Sequence, residues 1–219
     1  MKRLEPHHAS GPRLIEVRDL SVGWTGEAAL VEHATFDVYR GEIFAILGKS
    51  GSGKTTTMRS LVGLEEPLGG SISIAGLGAP RLEAVRPPFG VMFQDGALLG
   101  SISVGDNVAL PLVRWTDLPH DAIAAIVRGK LGLVELEGAI HKLPAELSGG
   151  MRKRAGIARA MALEPSLLFL DEPSSGLDPV TAAELDQLIA TLRSNLDLTV
   201  VLVTHDLGSI YAIADRCIL

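Results

Sequence analysis

Residues 147–178 read LSGGMRKRAGIARAMALEPSLLFLDEPSSGLD, and residues 48–55 read GKSGSGKT. The longer stretch holds a Ser-Gly-Gly turn that opens a helix, then an apolar strand ending in two adjacent carboxylates, Asp171 and Glu172. The shorter one has the spacing G-x-x-x-x-G-K-[ST], set between the apolar run Ile43–Leu47 and a helical segment. That context is the one a phosphate-binding loop requires. Taken together and in this order, the two stretches predict a nucleotide-hydrolysing α/β fold.

Each residue of the loop has a reason to be there. Gly48, Gly51 and Gly53 let the backbone approach phosphates and take dihedrals closed to other residues. The amides of Gly48, Lys49, Ser50, Gly51, Ser52 and Gly53, with the N-terminus of the following helix, form an anion site. Lys54 reaches the β- and γ-phosphates, the Thr55 hydroxyl ligates Mg²⁺, and Thr56 adds a phosphate contact. Asp171 and Glu172 are neighbours at a strand end, so their side chains point different ways. Asp171 is assigned to the Mg²⁺ of ATP and Glu172 to orienting the attacking water.

Composition narrows the class. The chain has 219 residues, 20 basic and 26 acidic, for a net charge of −6, which is no footprint for nucleic acid. The local basic run Arg152-Lys153-Arg154 reads as a solvated or phosphate-facing helix edge. One cysteine, Cys217, excludes an internal disulfide and reads as a small core residue. No apolar run reaches the length of a membrane span, so the protein is expected to be soluble and cytosolic. A mean hydropathy of +0.28 suggests apolar surface reserved for partners.

Patterning gives the organisation. Residues 1–12 read as a flexible tail. Leu14–Arg18, Thr35–Tyr39 and Ser71–Ile74 alternate as antiparallel strands with one wet face. Ile43–Leu47, Leu167–Leu170 and Thr199–Val203 are continuous apolar runs, as in parallel strands covered on both faces. A helical subdomain is expected over about 96–163, with a helix start at Asp117–Pro119. The fold class expected is a P-loop NTPase with a mainly parallel core sheet, an antiparallel β subdomain and an inserted helical subdomain.

Leu147-Ser148-Gly149-Gly150-Met151 resembles the signature motif of ATP-binding-cassette (ABC) ATPases, and the resemblance spans essentially residues 14–219. It implies that Gln94 is the Q-loop residue, contacting Mg²⁺ and sensing a transmembrane partner. Ser175–Asp178 matches the D-loop, His205 the switch histidine, and Trp24 the aromatic that stacks on adenine. It further implies a homodimer, in which ATP lies between the phosphate loop of one copy and Ser148, Gly149 and Gly150 of the other, with Asp178 of the D-loop also binding the nucleotide. Lys54, Glu172 and His205 would then be catalytic. The helix N-terminus at Ser148 suits an anion by its dipole.

Two features depart from the family pattern. Met151 stands where most members have Gln, and the chain stops at Leu219 where a further strand is starting, so its C-terminal end reads as truncated. Met151 and the run Gln94-Asp95-Gly96-Ala97-Leu98-Leu99 resemble the toluene-tolerance or lipid-asymmetry branch, whose permeases work with MCE-domain proteins. That branch implies phospholipid or hydrophobic-substrate movement at the cytoplasmic face of a bacterial inner membrane, through transmembrane permease subunits. The alternatives are an ABC ATPase for small-solute import, one for lipoprotein or drug export, and a soluble non-transport ABC protein.

Overall fold

Three apolar strands form the centre of the molecule, and their period-2 alternation divides the interior into two cores. In β3 (Ile43–Leu47), Ile43 and Ala45 face one side, Phe44 and Ile46 the other. β6 (Leu167–Asp171) splits Leu168 and Leu170 from Leu167 and Phe169; β7 (Thr199–Thr204) splits Val200 and Leu202 from Val201 and Val203. Burial on both faces is what a strand without wet positions requires. The computed structural model describes residues 11–24, 26, 28–75, 78–80 and 88–219.

These strands belong to a five-stranded parallel sheet of order β5-β6-β7-β3-β8, with β5 at Phe89–Met92 and β8 at Arg216–Ile218. A second sheet, antiparallel and of order β2-β1-β4, comprises β1 (Arg13–Val22), β2 (Val31–Tyr39) and β4 (Gly69–Ile74). One core packs this flap and α1 (Lys54–Leu61) on the parallel sheet, with Phe36 stacked on Phe44 at 5.3 Å. The other core receives α2 (Val104–Trp115), α3 (His120–Leu133), α4 (Gly149–Ala160) and α5 (Pro179–Leu196). A short α6 (Leu207–Ile213) leads into β8.

The expected fold class stands, and the elements between β5 and β6 are helical from Gln94 to Ala160. Of the expected tail, residues 1–10 lie outside the described residues, while the Pro12 carbonyl accepts from Arg40 N at 3.1 Å. α3 begins at His120 with Pro119 as its N-cap, where the sequence places a helix start. Three local readings change. β5 is a strand that the sequence hides, because it has four residues and one of them is Gly90. A Cβ at Gly90 would strike the backbone of Ala160, so α4 can pack on the sheet only there. Cys217 is exposed on the edge strand β8 rather than in the core. Within the basic run, Lys153 is not on a solvated edge: it is 2 % exposed, because α4 turns that position toward the sheet, while Arg152 and Arg154 are half-buried.

Candidate active site

The site forms where β3 and β6 end, as expected for an open parallel sheet. After β3 the chain makes the 48–53 loop and enters α1 through Gly53, at φ 89°. A side chain at Gly53 would meet Leu30 and Val31, and one at Gly48 would meet Ser52, so the loop closes only around glycines. The amides opening α1 have no carbonyl one turn back and remain available to an anion. Lys54 Nζ donates to the carbonyls of Gly48 at 2.9 Å and Lys49 at 3.0 Å, with Glu172 Oε1 3.6 Å away. The ammonium is thus held inside the loop, on the floor of the cleft.

Thr55 Oγ1 donates to Asp171 at 3.2 and 3.3 Å. Asp171 is 2 % exposed. Burial pushes its carboxyl above the usual aspartate range and the charge of Glu172 adds to this; the Thr55 hydroxyl, Arg59 and Lys54 pull it back. A desolvated carboxylate facing a hydroxyl, with no full ion pair, fits a divalent cation. Asp171 and Thr55 would hold Mg²⁺, and Gln94 lies on the same cleft.

Glu172 stands beside Asp171 with a positive φ of 48°. A left-handed backbone at a residue with a Cβ is strained and persists only where neighbours enforce it. Its N–H donates to Val203 O at 2.8 Å, and its carbonyl accepts from Ser175 N at 3.2 Å. That conformation turns the carboxylate into the cleft, where both oxygens meet His205 Nδ1 at 2.9 and 2.8 Å.

The resulting cleft, of about 300 Å³, is lined by Ser50, Gly51, Gly53, Lys54, Thr55 and Thr56 together with Trp24, Gln94, Glu172 and His205, while Gly48, Lys49 and Ser52 lie on the other side of the loop. Leu30 and Ser175 also line the cleft; Ser175 opens the D-loop match, whereas nothing in the sequence marks Leu30. Trp24 is 56 % exposed at its rim, free to meet a flat base. Ser148, Gly149, Gly150 and Asp178 do not line it. Ser148 caps α4, its Oγ accepting from Met151 N at 3.3 Å. Asp178 caps α5, accepting from Val180 N, Thr181 N and the Thr181 hydroxyl, which hold its carboxyl below the usual range. Gly149 and Gly150 lie against Leu177 and Thr181, so the two helix N-termini sit side by side.

The ABC transporter family profile matches residues 31–175. The chain belongs to that family. This ABC cassette is 45% identical over 207 residues to a probable ribonucleotide transport ATP-binding protein, mkl, of Mycobacterium leprae, covering 92% of this chain and 59% of that protein. It is 43% identical over 208 residues to the intermembrane phospholipid transport system ATP-binding protein MlaF of Escherichia coli K12, covering 93% of this chain and 77% of MlaF. The chain therefore spans less than two thirds of the length of its mkl relatives. Among solved structures, the cassette superposes on the dimeric post-hydrolysis state of MJ0796 bound to ADP and Pi with a TM-score of 0.81. That match has 26% identity and covers 94% of this chain and 96% of the other. Clostridium perfringens cbiO1, part of a cbiONQ transporter, gives 0.80 at 28% identity, covering 94% and 87%.

Proposed function

We propose that the chain is the ATP-binding and hydrolysing subunit of an ABC transporter, acting as a homodimer on a membrane permease, and that its cargo is phospholipid or another hydrophobic molecule of a bacterial envelope. The observation that carries the ATPase reading is the meeting of Lys54, the Thr55–Asp171 pair and the Glu172–His205 pair in one cleft.

The geometry supports the following roles. Loop amides and Lys54 bind the phosphate chain, and Trp24 offers its ring to adenine. Thr55 and Asp171, with Gln94 adjacent, would hold Mg²⁺, which would supply charge neutralisation at the phosphates. Glu172, aimed by its strained backbone, accepts a hydrogen bond from the attacking water and orients it, while His205 fixes the carboxylate. Ser148–Gly150 and Asp178 do not line their own cleft, which supports a role across a dimer. There the N-terminus of α4 meets the γ-phosphate of the partner's nucleotide. Hydrolysis therefore depends on dimerisation, and closure is the step passed to the permease.

Partner contact is supported by apolar surface on the helical side, where Leu99 and Val113 are 51 % and 62 % exposed. No helix among the described residues is long and apolar enough to cross a membrane, and the proposed attachment to the cytoplasmic face runs through the permease. The phospholipid reading draws on the likeness to MlaF; the mkl relatives carry a ribonucleotide name instead. A mild-detergent pull-down from native membranes, with partners and lipids identified by mass spectrometry, separates them. A permease with an MCE-domain protein and phospholipid supports the proposal. A permease with a solute-binding protein or nucleotide cargo replaces the substrate and leaves the ATPase in place.

A further inference from the structure

Lys153 lies outside the roles just described, yet it is the most deeply buried cation near the cleft among the described residues, its side chain 3 % exposed. From the second turn of α4 its Nζ donates to the carbonyl oxygen of Glu172 at 3.1 Å. On its other side stands Asp95, Oδ1 at 3.5 Å, a carboxylate with an 82 % exposed side chain. A buried ammonium needs partners for its three donors, and those two oxygens are the ones the structure supplies.

The carbonyl matters because of the residue that owns it. Glu172 has φ 48°, and its N–H is fixed by Val203 O. With that end held, the position of the carbonyl oxygen sets ψ, and the two dihedrals together set where the side chain leaves the backbone. Among the described residues, Ser175 N and Lys153 Nζ are the ones that bond this carbonyl. The Lys153 bond is the charged and stronger of the two.

Asp95 connects the same ammonium to a second strained segment. Asp95, Gly96 and Ala97 all have positive φ, of 60°, 76° and 47°. α4 grips this turn closely: Arg159 donates to Gly96 O and Ala97 O, both at 2.8 Å, and a Cβ on Gly156 would come within 2.8 Å of Gly96 Cα. One helix therefore carries the cation that bonds Glu172 and also the residues that seat the 94–97 turn. Its spacing is legible in retrospect, since Gly149, Lys153, Gly156 and Ala160 recur at intervals of four, three and four along α4.

We propose that Lys153 is a positioning residue for ATP hydrolysis: its ammonium fixes the Glu172 carbonyl, and so the aim of the Glu172 carboxylate, in register with the 94–97 turn through Asp95. A displacement of that turn would then reach the hydrolytic carboxylate without touching the phosphate loop. The inference rests on the reading of Glu172 as the residue that orients water.

The test uses the full chain and four variants, K153M, D95N, K153M/D95N and K153M/E172Q, with E172Q as reference. Steady-state ATP hydrolysis, ATP titration with a fluorescent analogue and thermal melting are the readouts. K153M is expected to lower kcat by roughly 30- to 100-fold with ATP affinity within about twofold. D95N, at an exposed position that folding tolerates, should lower kcat about three- to fivefold, because the Glu172 carbonyl bond remains. The double variant K153M/D95N should be no slower than K153M, since Asp95 acts only through the ammonium. K153M/E172Q should form the ATP-dependent dimer at the same ATP concentration as E172Q.

Wild-type kcat in K153M or in D95N overturns the proposal. So does an additive loss in K153M/D95N, or loss of ATP-dependent dimerisation in K153M/E172Q, which would mark Lys153 as a general structural residue. Near-wild-type turnover in E172Q alone is a different failure, that of the role given to Glu172.

Discussion

His205 and Glu172 hold each other across the mouth of the cleft, ring Nδ1 to both carboxylate oxygens at 2.8 and 2.9 Å. The histidine comes from the end of β7 and the glutamate from the end of β6, two strands in direct register. Removing the ring should leave the carboxylate free to turn while the phosphate loop is untouched. H205A is expected to lower kcat roughly 10²- to 10³-fold with ATP binding preserved, the scale of losing one preorganised polar group. E172Q should bind ATP, accumulate as a nucleotide-bound dimer on size-exclusion chromatography and turn over no faster than H205A. Near-wild-type ATPase in E172Q would remove the role assigned to that residue.

Lys54 differs in kind from His205, since its ammonium sits inside the loop, bonded to the Gly48 and Lys49 carbonyls. K54A withdraws a charge-assisted contact from the phosphates, worth about 1.5–3 kcal/mol. ATP affinity by isothermal titration should therefore fall roughly 10- to 100-fold. Unchanged affinity would contradict the phosphate-loop assignment.

Asn107 is fully buried, and one side chain organises the turn that leads into α2. Its Oδ1 accepts from Leu99 N at 2.7 Å, while its Nδ2 donates to the carbonyls of Leu99, Ile102 and Ser103. N107A strands these groups and should cost about 2–3 kcal/mol in urea denaturation. N107D should be at least as damaging, because a carboxylate would face three carbonyl oxygens with nothing to donate. A variant N107D as stable as wild type would show that water reaches the turn.

The contrast between Asn107 and Lys54 shows what a sequence carries on its surface. Lys54, Thr55, Asp171 and Glu172 could be proposed because each lies in a contiguous motif at a strand end, where local spacing suggests the chemistry; His205, which also follows a strand end, was proposed from the family resemblance. The two-sided burial of β3, β6 and β7 was legible for a similar reason, as unbroken apolar runs. Asn107, Lys153 and Arg159 were not, since their partners lie on other segments and nothing in their immediate neighbours announces the contact. β5 was hidden because a strand of four residues has too short a run to show a period. The role of Gly90 depends on where α4 arrives from, about seventy residues later in the chain.

Asp171 should make the unliganded protein less stable as pH rises. Burial lifts its carboxyl above the ordinary value of 3.8, so the folded state binds the proton more tightly than the unfolded state. Across the window from the ordinary value to the raised one, stability falls with increasing pH, because the native carboxylate must ionise while desolvated. D171N removes that cost. Its melting temperature without nucleotide should exceed wild type at neutral pH, and the difference should vanish as pH falls below about 4. Adding Mg²⁺ and ATP should reverse the order, stabilising wild type more than D171N. A D171N protein that melts lower than wild type at neutral pH would place Asp171 in a favourable ion pair instead.

Gly150 tests whether the signature glycines serve packing or anion binding. A Cβ there would lie 2.6 Å from Thr181 Cγ2, and Thr181 cannot swing aside while its hydroxyl bonds Asp178 at 2.6 Å. G150A should therefore lower the melting temperature by several degrees, a loss of about 1–3 kcal/mol for an overpacked contact. T181S removes the offending methyl and keeps the hydroxyl that caps α5. G150A/T181S should regain the melting temperature of T181S, yet its ATPase should stay at least tenfold low, because the proposed contact with the partner's γ-phosphate is made by the backbone amides of the α4 N-terminus, where any side chain crowds the anion. Recovery of turnover along with stability would instead assign Gly150 to helix packing alone and leave Ser148 and Gly149 to meet the nucleotide.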